Sequence, residues 1–94
     1  MGLFTKEELR RYGEKFLCGL YGQTGGSLDH SANSMEIFFK TISTGAYERP
    51  SYGYEATQAI LRELESKGFV QTWNLDQEVR ITSSGLDKCR EICR

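Results

Sequence analysis

The sequence predicts one mainly helical α+β domain, and three features point that way. Apolar residues recur at helical spacing in four separate stretches. Glycines and a single proline cut the chain where those stretches must end. Two short runs rich in β-branched and aromatic residues, "FVQTWN" and "EVRIT", stand either side of "LDQ" and read as a β-hairpin. With 94 residues the chain has room for one hydrophobic core, so the domain is expected to span 1–94. Apolar residues make up 38% and charged residues 27%, a balance that excludes a disordered or membrane-embedded chain. Apolar runs such as "IFF" at 37–39 are far shorter than the ~20 residues that cross a bilayer. Glu7, Glu8 and Glu14 at the start do not fit a signal peptide. A cytoplasmic location is the expectation.

The elements follow in order. "TKEELRRYGEKFLCGLYG" pairs Thr5 with Glu8 at capping-box spacing, and Leu9, Phe16, Leu17 and Leu20 recur on one face, which predicts a helix over 5–21. "GQTGGSLDHSANS" is turn-forming, with room for a short strand around Leu28 to Ser31. Asn33 or Ser34 can cap "MEIFFKTIS", whose Met35, Ile37, Phe38, Phe39 and Ile42 predict a well-buried second helix. Gly45 ends it, and Pro50 keeps Arg49 out of the helical region, so the next helix begins after Pro50. Over 54–67, Thr57, Ile60, Leu61 and Leu64 form an apolar stripe, with Glu55, Gln58, Arg62 and Glu65 opposite. Gly68 is placed to take the left-handed conformation that turns this helix into the first hairpin strand. Thr82 or Ser83 can cap a last helix in which Leu86, Cys89, Arg90 and Cys93 share a face.

The chemistry-bearing residues specify no enzyme. His30 is the one histidine, no nucleophile motif accompanies it, and "GQTGG" lacks the Lys and Ser/Thr of a phosphate loop. No cofactor is expected. His30 with Cys18, Cys89 and Cys93 matches no compact zinc spacing, and the bland role of cysteine as a small buried hydrophobe is the stronger one. Three cysteines are an odd number, which fits a reduced interior and leaves an interchain bond through Cys89 or Cys93 as the alternative. The net charge of −1 removes the simplest case for a nucleic-acid partner, a globally basic surface. Any such site has to be local.

"LRELESKGFV", followed from Val79 by "VRITSSG", resembles the run that ends the recognition helix and forms the wing of winged helix-turn-helix domains, especially regulators of the MarR and PadR type. Leu64, Glu65, Gly68, Phe69, Val70, Ile81, Thr82 and Gly85 carry the resemblance, which covers residues 34–94. It implies a three-helix core, a β-hairpin wing and a C-terminal helix. In function it implies a small transcriptional regulator that binds duplex DNA through helix 54–67 and the 69–82 wing, as a homodimer joined by its first and last helices.

Carried onto this chain, the positions that would meet DNA are Ser51, Tyr52, Tyr54, Gln58 and Arg62, with Arg49 just upstream and Arg80 on the wing. Gln58 suits an adenine edge, and Arg62 a guanine or a phosphate. A solvated helix face is the plain alternative for Arg49, Gln58 and Arg62. Glu55, Asp76 and Glu78 depart from the pattern by placing negative charge where phosphates would lie, and the connection from Thr44 to Ser51 is longer than the usual turn of about three or four residues. These departures favour a second expectation, a protein-interaction module that binds no DNA and uses its acidic helix face and a tyrosine-rich loop. Tyr47 and Trp73 are its candidate partner-binding residues, with packing within the wing the alternative for Trp73.

Overall fold

A computed structural model describes residues 4–42 and 50–93, apart from the side chains at 50–52. The chain is α+β and mainly helical: α1 (Lys6–Thr24), β1 (Ala32–Asn33), α2 (Ser34–Thr41), α3 (Pro50–Ser66), β2 (Val70–Trp73), β3 (Glu78–Ile81) and α4 (Ser83–Ile92).

The Thr5 hydroxyl accepts from the Glu8 N–H at 3.1 Å and the Glu8 carboxylate accepts from the Thr5 N–H at 3.0 Å, so the expected capping box starts α1. The helix runs past the expected end at 21 to Thr24. A helical glycine at 22 weakens a helix without breaking it, and the stop comes at Gly25, left-handed at φ 65°. Asn33 rather than Ser34 caps α2, accepting from the Glu36 N–H at 3.0 Å. Ser34 is buried instead and bonds across to the hairpin. The long connection expected from Thr44 to Ser51 lies mostly outside the described residues. The third helix begins at Pro50 itself rather than after it, since proline at the first helical position loses no hydrogen bond.

The sheet is antiparallel in the order β1-β3-β2. The first strand lies at Ala32–Asn33, not at Leu28 to Ser31 as expected. Its place is set by partners far along the chain, Ala32 facing Val79 and Asn33 facing Glu78. The β2–β3 register, Val70 with Ile81 through Trp73 with Glu78, turns Val70, Val79 and Ile81 inward.

Phe16, Leu17 and Leu20 of α1, Ile37 and Phe38 of α2, and Ala56, Ile60, Leu61 and Leu64 of α3 meet those strand residues in one core. Each large side chain removed from water contributes about 1.5–3 kcal/mol. The stripe expected on α3 is buried throughout, and its one polar member, Thr57, donates to the Gly53 carbonyl at 2.7 Å. Phe39 departs from its expected place in the core of a well-buried α2. It is 40% exposed, packing edge-to-face on Phe38 with its ring tip lying over Gly53.

The cysteines also depart from expectation. Cys18 of α1 and Cys93, just past α4, form an intrachain disulfide with their Cα atoms 5.5 Å apart, which counts against a fully reduced interior. Cys89 is the free thiol. It is buried with its Sγ 3.8 Å from the Leu17 carbonyl, and burial pushes its pKa up, so it stays a neutral thiol at physiological pH. Cys93 is therefore already paired and Cys89 enclosed, which removes both from the expected interchain alternative. Arg90 is exposed rather than sharing the inward face of Leu86 and Cys89.

Candidate nucleic-acid interface

The geometry begins at the end of α3. Gly68, at φ 76°, lets the chain reverse: its N–H donates to the Glu65 carbonyl at 2.9 Å and the Phe69 N–H to the Leu64 carbonyl at 3.0 Å. Thr82 then fastens the hairpin's exit to its entrance. Its N–H donates to the Phe69 carbonyl at 3.0 Å, its hydroxyl to the Gly68 carbonyl at 2.6 Å, and that same hydroxyl caps α4 by accepting from the Gly85 N–H at 3.0 Å. The hairpin is thereby held against α3.

At its far end the hairpin turns through Asn74, Leu75 and Asp76, three successive non-glycine residues at φ 50°, 53° and 67°. The Gln77 N–H closes the turn on the Asn74 carbonyl at 3.0 Å. Left-handed backbone is tolerable for Asn and Asp but costs a leucine about 1–2 kcal/mol. The turn presents Leu75 to solvent, 84% exposed, and directs Asp76 back toward α3.

Asp76 is the centre of the site. Its carboxylate accepts from Arg62 Nη2 at 2.7 Å and Nη1 at 3.2 Å, from the Thr72 hydroxyl at 3.0 Å and from Gln58 Nε2 at 3.4 Å. Its backbone carbonyl accepts from the Ser34 hydroxyl of α2. Arg62 also pairs with Glu65 at 2.7 Å, and Gln58 also donates to the Tyr54 hydroxyl at 3.1 Å. Tyr54, Gln58 and Arg62 therefore line one side of a cleft of about 350 Å³, with Thr72, Leu75 and Asp76 on the other.

The expected residues separate into groups. Tyr54, Gln58 and Arg62 come together on the exposed face of α3. Arg80 and Trp73 meet on the outer face of the sheet, the guanidinium 4.4 Å from the ring centroid, so Trp73 is partly covered yet 40% exposed. Ser51 and Tyr52 fall in the first turn of α3, with side chains outside the described residues; Tyr47 and Arg49 lie outside them altogether. Arg62 is not the free cation the sequence suggests, because Asp76 and Glu65 already neutralise it. Asp76, read from sequence as a liability of the wing, organises the cleft. No local spacing signals it, since its partners on α3 are 14 and 18 residues away. Among the described residues no group of three or more His, Cys, Asp or Glu could hold a metal ion, and no helix is long and apolar enough to cross a membrane.

The Arg62 hydrogen bonds, aided by those from Thr72 and Gln58 and by the Arg62 charge, hold the Asp76 carboxyl below its ordinary pKa, although partial burial acts the other way. The same pair raises the Arg62 pKa. A carboxyl depressed in the folded state adds stability above its unfolded pKa of about 4, and loses that contribution as pH falls through the lower folded value. Urea unfolding at pH 6 and pH 3 should therefore show an acid loss of stability in the native chain that is smaller in Asp76→Asn; equal losses would remove Asp76 as a source.

Comparison with family models, with curated proteins and with solved structures finds no match to this chain.

Proposed function

We propose that this chain is a small winged-helix DNA-binding protein, a transcriptional regulator in which α3 enters the major groove and β2–β3 is the wing. The observation that carries the reading is the shared surface of α3 and the hairpin. Tyr54, Gln58 and Arg62 align along the exposed face of α3, and the hairpin packs beside them through Asp76. The order of four helices around a small three-stranded antiparallel sheet is compatible with a winged-helix layout and supports the same reading. A homodimer joined by α1 and α4 belongs to the proposal, because one domain of this size spans only a half-site.

Fluorescence anisotropy against random-sequence duplex DNA at two salt concentrations tests it, with light scattering for the mass. Binding should weaken as salt rises, and Arg62→Ala should lower affinity roughly 10-fold, since it removes a contact and leaves Asp76 as an uncompensated anion facing phosphate. Absence of binding at the lowest salt would sink the reading.

A second reading, a protein-interaction module, is favoured by one observation: Leu75, Trp73 and Tyr54 leave apolar surface exposed around the same cleft in which Arg62 is neutralised. Absence of DNA binding in that titration would turn attention to it.

A further inference from the structure

We propose that Asp76 sets the specificity of this surface: its carboxylate competes within the chain for the donors that would otherwise grip phosphate, and so suppresses binding to DNA of arbitrary sequence. This rests on the DNA-binding reading above and deepens it.

A carboxylate and a phosphate offer an arginine fork the same arrangement of two oxygens. Arg62 already directs both terminal nitrogens at Asp76, while Gln58 and Thr72 supply further donors from α3 and β2. The carboxylate is held from behind as well. Ser34 bonds the Asp76 carbonyl, the Gln77 N–H closes the turn, and only 10% of the Asp76 side chain is exposed. This is an acceptor built into the fold, and a DNA phosphate arriving at Arg62 has to displace it. Arg80, the hairpin's own cation, is stacked on Trp73 and lies apart from this cluster.

The penalty falls unevenly on possible ligands. Phosphate only accepts hydrogen bonds, so it competes with Asp76 directly. A base edge carrying an amino group can donate to the carboxylate while Gln58 or Arg62 donates to a neighbouring acceptor, leaving the cluster satisfied. Specificity is a difference of affinities, and a built-in competitor for the backbone increases that difference by weakening the non-specific term.

Asp76→Asn is the direct test. Asparagine keeps the shape and tolerates the left-handed backbone at this position, and the Ser34 bond to the main chain needs no side chain. Asp76→Gly is a second removal of the carboxylate that the same backbone accepts without strain. After circular dichroism melts confirm folding, each is titrated by anisotropy with a random-sequence duplex across a salt series. Both should bind at least about 10-fold more tightly than the native chain at low salt, with the slope of log affinity against log salt steeper by about 1, and Arg62→Ala in the Asp76→Asn background should reverse the gain. If the native chain binds but neither variant binds more tightly, the proposal is overturned and the DNA-binding reading stands. If the native chain fails to bind at the lowest salt, the DNA-binding reading falls and takes the proposal with it.

Discussion

Replacing either Cys18 or Cys93 by serine should lower the stability of the oxidised chain by about 3–4 kcal/mol. The bond joins residues 75 apart, from the middle of α1 to the end of α4. Closing a loop of that length restricts the unfolded chain by ~4.5 kcal/mol on the loop-entropy account, and measured effects fall somewhat below that figure. For a domain this small the loss should lower the thermal midpoint by roughly 20 °C. The two single variants should agree closely, because each removes the same covalent link, and a reductant should bring the native chain down to their level. Cys89→Ala removes a buried sulfur but no link, so reductant should still destabilise it by the full amount. Native and Cys93→Ser chains with the same melting midpoint under non-reducing conditions would show that the bond constrains nothing.

The disulfide also marks the limit of what could be read from the amino-acid order. The local signals were legible. Thr5 with Glu8 and Gly68 act on backbone groups within a few residues, so the capping box and the helix-to-strand reversal follow from residue type and spacing, while the caps of α2 and α4 narrow to adjacent pairs from which the structure selects Asn33 and Thr82. The α3 stripe was legible for the same reason: helical spacing puts Thr57, Ile60, Leu61 and Leu64 on one face wherever the helix is docked. What escaped depends on distant partners. The position of β1 is set by Val79 and Glu78, the pairing of Cys18 by Cys93, and the state of Arg62 by Asp76. Opposite charges give no sign from sequence of which of several carboxylates a guanidinium will meet. Tyr54, Gln58 and Arg62 could thus be assigned to the exposed side of α3, but not the cleft they build with the hairpin, nor the carboxylate that fills its centre.

Gly85→Ala should be among the most damaging small substitutions in the chain, costing about 2 kcal/mol net. Gly85 is buried in the first turn of α4, directly behind the point where Thr82 ties β3 to the start of β2. A Cβ there would run into the Phe69 carbonyl oxygen, with Ile81 Cγ1 only 2.8 Å away on another side. The carbonyl cannot move aside, because it accepts the Thr82 N–H at 3.0 Å and follows directly on the left-handed Gly68. The added methyl must therefore push α4 away from the hairpin, at the upper end of the usual 1–3 kcal/mol cost of overpacking and against the gain in helix propensity of about 1 kcal/mol that alanine would otherwise bring. Gly22→Ala provides the contrast. That position is also helical but has nothing within 4 Å of the added Cβ, so alanine should stabilise by about 0.5–1 kcal/mol. Urea unfolding of the two variants should move in opposite directions from the native midpoint. If both move upward, α4 can shift off the Phe69 carbonyl without loss, and the close approach at Gly85 is not what joins the last helix to the hairpin.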